Sequence, residues 1–288
     1  MTHILNWLVS KNYRVILSAV VFSPIFPIIT SSILVLDTIV NDLRAGIRSA
    51  FISSIIVIFL LIFTGTDSIA SIFLSILPLY SGLFLGYLMI KSRSVTFVFQ
   101  STYLFCFFAI IVGLFFDNFS LFFGQIFDQL VEIFASASVS DSQILSLNSW
   151  RDLFFSLIVS IVFVQLIMSF FIGIWSLSVI KKDRSYFIQF RSLRLGRFLG
   201  IPATLLLFLS IFVDILYIDS FFSLVLVGFC IQGLAVIHDY AATINLHPMI
   251  LTLLYILLVT PLTGFVILII SLVGLLDNWI NIRSIYRH

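Results

Sequence analysis

A glutamine, a histidine and an aspartate close together in one apolar run, Gln232, His238 and Asp239, form the polar group in this chain best suited to a chemical role. Gln232, Val236 and Asp239 fall on one helical face of the run FCIQGLAVIHDYA, with His238 beside them at its inner end. Such a group can bind a polar ligand or relay a proton, because imidazole changes charge near neutral pH. More often such a group marks where a helix leaves a membrane. Asp214 lies inside the apolar run 198–217, Asp37 inside 13–40 and Gln165 near the middle of 153–180. A carboxylate at the centre of a membrane helix costs roughly 2.5–3.5 kcal/mol, so each needs a partner or a task. Asp214, Gln232, His238, Asp239 and Gln165 are therefore the candidate ligand-binding residues. For Asp214 a structural role near the outer end, beside Asp219, is the plainer alternative. Asp277, Asn281 and Arg283 flank Trp279 in LLDNWINIR, and this cluster reads as an interfacial anchor.

Nothing points to catalysis. The sequence contains no Walker P-loop, nucleophile elbow, HExxH, CxxC or His-rich cluster, so neither a metal nor a cofactor is expected. Cys106 and Cys230 stand singly in apolar runs and read as buried thiols.

The elements that must position these residues are membrane helices. Of the 288 residues 61% are hydrophobic and 10% charged, and the mean hydropathy is +1.22. That is more apolar surface than a soluble domain of this size hides, so lipid is the expected solvent and the bilayer the first partner. The net charge of +2 is small and the bases are scattered over several loops, which excludes a nucleic-acid footprint. The start, MTHILNWLVSKNYR, places its charges after an apolar stretch and does not read as a removable signal peptide.

Orientation is read from residues 181–197, KKDRSYFIQFRSLRLGR, with six basic residues and one acid in seventeen positions. Lys and Arg in short loops stay cytoplasmic, so this is the expected inner loop. Two apolar runs are broken by proline, 13–40 at Pro24 and Pro27 and 249–276 at Pro261. If both fold back, 14 of the 15 Lys and Arg residues lie inside, Arg151 excepted; if both cross once, Lys11, Arg14, Arg283 and Arg287 move out. The fold-back is preferred. The expectation is an all-α polytopic transmembrane helix bundle, a single integral membrane domain over 1–288, with both termini cytoplasmic. It has six full crossings (50–63, 69–90, 95–116, 153–180, 198–217 and 221–240) and two broken or re-entrant pairs. Residues 121–139 set apolar positions against Gln125, Asp128, Gln129 and Glu132 at helical period, an amphipathic helix expected at the outer interface. Gly82 and Gly86, one turn apart, read as a close helix contact.

The succession FRSLRLGRFLG, FCIQGLAVIHDYA and LLDNWINIR, between about residues 190 and 283, resembles the YybS-like family of bacterial inner-membrane proteins, a group carrying a domain of unknown function. Over the first half the similarity is one of hydrophobic plan and of the order of SPIFP and the basic loop. In layout such proteins are similar to the substrate-binding S components of energy-coupling-factor transporters. The resemblance implies a bacterial inner-membrane location and permits transport. Two functions are therefore expected in competition. One is a small-solute-binding or transport subunit using the five candidates above. The other is a non-transporting scaffold that recruits a cytoplasmic protein, or meets the membrane surface, through Lys181, Lys182, Arg184, Phe187, Phe190, Arg191, Arg194 and Arg197.

Overall fold

In a chain whose side chains are so largely apolar, every backbone N–H and C=O that enters lipid must be paired within its own segment, and helices do this. The computed structural model describes residues 2–65, 69–136, 147–213 and 215–286, and among them there are helices and no strand. Asp67, Asp141, Asp214, Arg287 and the end of the expected outer helix, 137–139, lie outside the described residues. Six helical segments are long and apolar enough to cross a membrane: Leu43–Phe63, Ser71–Ser92, Val95–Phe115, Phe154–Lys181, Leu216–Thr243 and Thr263–Ile280. The chain divides into two compact units, Met1–Thr102 with Val164–Phe190, and Tyr103–Phe163 with Arg191–His288.

The first unit is built around a short helix. After α1 (Thr2–Val9) and α2 (Asn12–Phe22), the chain breaks at SPIFP and restarts as α3 (Pro27–Asn41), with proline in its first turn. Nine consecutive residues of α3, Thr30 to Thr38, are buried, so protein encloses the helix on all sides and its 15-residue length is no liability. Glycines make this enclosure possible. On α5 (Ile69–Ser92), a Cβ at Gly82 would stand 2.4 Å from the Ser31 carbonyl oxygen and one at Gly86 2.7 Å from Thr38; at Gly173 of α8 (Phe154–Lys181) it would stand 2.7 Å from Val35. Ser31 Oγ donates to the Pro78 carbonyl at 2.7 Å, and Ser23 Oγ to the Ser75 carbonyl, around the proline inside α5. The amide of Asn41 donates to the Val9 carbonyl at 2.9 Å, so the end of α3 lies beside the start of α2 and the run 13–40 folds back.

At that same end the unit gathers all its Lys and Arg. Lys11 and Arg14 open α2, and Arg44 and Arg48 open α4 (Leu43–Phe63), whose Gly46 faces Leu83 near the end of α5. Lys91 and Arg93 lie at the turn from α5 into α6 (Val95–Phe115). Lys181, Lys182 and Arg184 lie at the turn from α8 into α9 (Ser185–Arg191), where Gln189 Oε1 accepts from Val95 N at 3.0 Å.

In the second unit the amphipathic helix, α7, runs Asp117–Ser136. It begins four residues before the expected start at 121, because no glycine or proline between 114 and 123 holds a loop open and Phe116 alone interrupts the helix. Phe123 and Phe127 pack on Phe155 and Phe154 at the start of α8, ring centroids 4.9 and 5.1 Å apart, while Leu121, Phe122, Leu130, Ile133 and Phe134 are exposed.

The expected crossing 198–217 is shorter in the structure. Helix α10 (Gly196–Phe212) ends at 17 residues, about 26 Å at ~1.5 Å per residue, with Val213 extended after it. The four-residue α11 (Leu216–Asp219) then leads into α12 (Phe222–Thr243). The run 249–276 breaks early, into α13 (Pro248–Leu257) and α14 (Thr263–Ile280), which leaves α14 long enough to cross alone. His247 Nδ1 accepts from Met249 N and caps α13. Helices α12 and α14 touch backbone to backbone: a Cβ at Gly233 would lie 2.0 Å from the Ile270 carbonyl oxygen, and one at Gly274 2.0 Å from that of Phe229. Asn281, in the left-handed conformation (φ 54), ends α14 and turns the chain into α15 (Ile282–Tyr286).

Candidate functional site

Gln232 sits in an ion-pair network rather than in an open site. Its Oε1 accepts from Leu195 N at 2.9 Å and its Nε2 donates to Asp277 Oδ2 at 3.1 Å. The same carboxylate oxygen meets Arg283 Nη2 at 3.1 Å and Arg194 Nε at 3.6 Å. Arg283 also donates to the carbonyls of Arg191 and, at 2.7 Å, of Leu193, and Arg194 donates to Asn281 Oδ1. Asp277 is 0% and Arg283 2% exposed. Two charges taken out of water are tolerable only when paired and hydrogen-bonded, and here the pairing partners are the backbone and side chains of 191–195. The end of α14, the middle of α12 and this segment thus lie together, so α13 leads away from them and α14 returns: the run 249–276 folds back. Alongside, Trp279 Nε1 donates to Thr204 Oγ1 at 3.1 Å, and the amide of Asn278 fills the space that a side chain at Gly200 would need.

The other ligand candidates do not join Gln232. His238 Nε2 shares a 2.7 Å hydrogen bond with the Tyr255 hydroxyl of α13. Asp239 is buried on α12, two turns beyond Gln232. Gln165 belongs to the first unit, half-buried, its carbonyl accepting from Ser169 Oγ at 2.7 Å. Asp37, also in that unit, is fully buried: Oδ1 accepts from Asn41 Nδ2 at 2.9 Å, and Oδ2 has no hydrogen-bond partner among the described residues. No three His, Cys, Asp or Glu side chains among the described residues are placed to hold a metal ion.

The basic loop divides between the two units. In the first unit Lys181, Lys182 and Arg184 are exposed, Phe187 is 43% and Ile188 65% exposed, and Phe190 packs edge-on against Phe171 at 5.0 Å. Asp183 caps α9, accepting from Ser185 N and Oγ at 2.8 Å, and these bonds hold its carboxyl below the usual range. In the second unit Arg191 and Arg194 belong to the network, and Arg197 is exposed at the start of α10.

Arg151, the basic residue left outside by the charge argument, binds Asp128 through two bonds, Nε to Oδ1 at 2.8 Å and Nη2 to Oδ2 at 2.7 Å. The pair holds α7 to the segment before α8. The Arg151 hydrogen bonds hold the Asp128 carboxyl below its ordinary 3.8. A depressed carboxyl contributes stability above its ordinary value and loses it as pH falls through the lowered one. An NMR titration of the Asp128 carboxyl is therefore expected to show a midpoint below 3.8, and Arg151→Gln to move it upwards; the same midpoint in both proteins would remove this link.

Comparison of the chain with family models, with curated proteins and with solved structures finds no match in any of the three.

Proposed function

We propose that this chain is a non-catalytic scaffold of the bacterial inner membrane that recruits a soluble partner with an acidic surface to the basic end of its first unit. The observation that carries the reading is the collection there of nine cations, Lys11, Arg14, Arg44, Arg48, Lys91, Arg93, Lys181, Lys182 and Arg184. The described acids that share this end are Asp37, Asp42 and Asp183; Asp37 is buried beside Asn41, and Asp183 caps α9. Exposed Phe187 and Ile188 add apolar anchors among the charges. By the positive-inside rule this end, and with it the N-terminus, is cytoplasmic. The resemblance to the YybS-like family over 190–283 agrees with that location.

The competing reading, a small-solute-binding or transport subunit similar to an S component, rests on the two broken runs, since broken helices offer free backbone groups to ligands. Its central expected ligand, Gln232, has both ends of its amide bound within the protein, which favours the scaffold.

The test is a pull-down from cytosol with the detergent-solubilised full chain, its charge-reversed variant (Lys181→Glu, Lys182→Glu, Arg184→Glu) and Phe187→Ser. The expected result is a partner set lost in both variants and released as salt shortens the Debye length from ~10 Å at 0.1 M towards ~3 Å at 1 M. Recovery of the same set by the charge-reversed chain, or of none by the unaltered one, counts against docking at this face.

A further inference from the structure

The second unit contains a cavity of about 150 Å³ enclosed by the end of α6, α7, the start of α8 and α11. Its inner wall is closed by Ile110 and by Ser156 and Ser220, all buried, and its mouth is formed by Arg151, Asp152 and Tyr217, all exposed. The volume is that of a cavity able to hold one benzene molecule, six heavy atoms.

The arginine at the mouth is held in one orientation. Its guanidinium lies flat over Gly124, where a Cβ would be 3.1, 3.3 and 3.5 Å from Nη2, Cζ and Nη1. Asp128 takes the Nε and Nη2 edge. A guanidinium has five N–H donors in a planar fork, so the Nη1 and Nη2 edge keeps three of them, with no partner among the described residues. That edge fits a carboxylate bidentately. Asp152, the next residue in the chain, lines the same mouth. The charges around the mouth do not suit a simple ion: an anion would meet Asp128 and Asp152, and a cation would meet Arg151. A molecule with both charges satisfies both groups. Phe123 and Phe155 provide an aromatic wall with ring centroids 4.9 Å apart, and an ammonium is favoured near aromatic faces. Ser156 and Ser220 donate to the carbonyls of Leu153 and Leu216, which leaves their oxygens as acceptors.

We propose that this cavity binds a small zwitterion the size of a compact α-amino acid, its carboxylate on the free edge of Arg151 and its ammonium on Asp152. The site is independent of docking at the basic end, and nothing in the proposal requires the molecule to be transported.

The test is the thermal stability of the purified full chain with L-alanine, L-serine or L-valine, against propionate and propylamine at equal concentration. The expected result is a rise in Tm of about 5 °C at saturating amino acid, with propionate and propylamine each giving less than a third of it. Arg151→Gln and Asp152→Asn should each remove the shift. Because Arg151→Gln also breaks the link to α7, Asp128→Asn serves as its control: it weakens that link, keeps the guanidinium and should retain at least half of the shift. No shift with any amino acid, an equal shift with propionate or propylamine, or a full shift in Asp152→Asn overturns the proposal.

Discussion

Replacing Arg283 by Met is expected to cost about 3–5 kcal/mol, the range for removing one member of a buried ion pair. The loss exceeds that of a surface pair because Asp277 would stay buried with its charge, facing Gln232 and the more distant Arg194, while the carbonyls of Arg191 and Leu193 lose their donors. Asp277→Leu should cost a similar amount by stranding Arg283. The double substitution should cost clearly less than the sum, since it removes both charges and leaves apolar groups of similar size. Thermal unfolding of the three variants in one detergent reads this as Tm losses of about 10 °C for each single substitution. Additive single losses, or single losses below about 1 kcal/mol, would show that the pair is not closed to water and that the 191–195 segment is held by other contacts.

The second large effect is expected where α12 and α14 meet. At Gly274 a Cβ would stand 2.0 Å from the Phe229 carbonyl oxygen and 2.8 Å from Gly233 N; at Gly233 it would stand 2.0 Å from the Ile270 carbonyl oxygen. These are backbone atoms on both sides, so no side-chain rotation relieves the overlap and the helices must separate. Gly274→Val and Gly233→Val are each expected to destabilise by about 3 kcal/mol, the upper part of the range for overpacking. They should also loosen the Gln232 to Asp277 hydrogen bond, which spans the same interface. Gly264, in the first turn of α14, has nothing within 4 Å of its Cβ position, so Gly264→Ala should leave stability unchanged or raise it by up to ~1 kcal/mol. If Gly274→Val melts with the unaltered protein, the close contact of α12 and α14 is refuted.

The class of this protein and the places where its helices break are legible in the residues alone. Long apolar runs leave the backbone no partner but its own helix, which is a local requirement and so is legible locally. Proline acts locally too, so the breaks at Pro24, Pro27 and Pro261 could be read from residue type, as could the amphipathic period of α7. Charge bias also indicated that both broken runs fold back, and Asn41 on Val9 and Arg283 on 191–195 are the contacts that realise it.

The partners of the polar residues, by contrast, depend on contacts between distant segments. Gln232, Asp277 and Arg194 come from segments tens of residues apart, and periodicity places a residue on a face without naming the face opposite. His238 stands beside Asp239 at the end of the same helix as Gln232, yet it turns to Tyr255 of α13 while Gln232 turns to α14. The cluster LLDNWINIR carried the signal that mattered, an acid and a base six residues apart beside a tryptophan. The left-handed turn at Asn281 converts that spacing into a buried ion pair instead of an exposed anchor. The cavity at Arg151 had no sequence signature, because it exists through the flat seating of one guanidinium on Gly124, a contact between residues 27 positions apart.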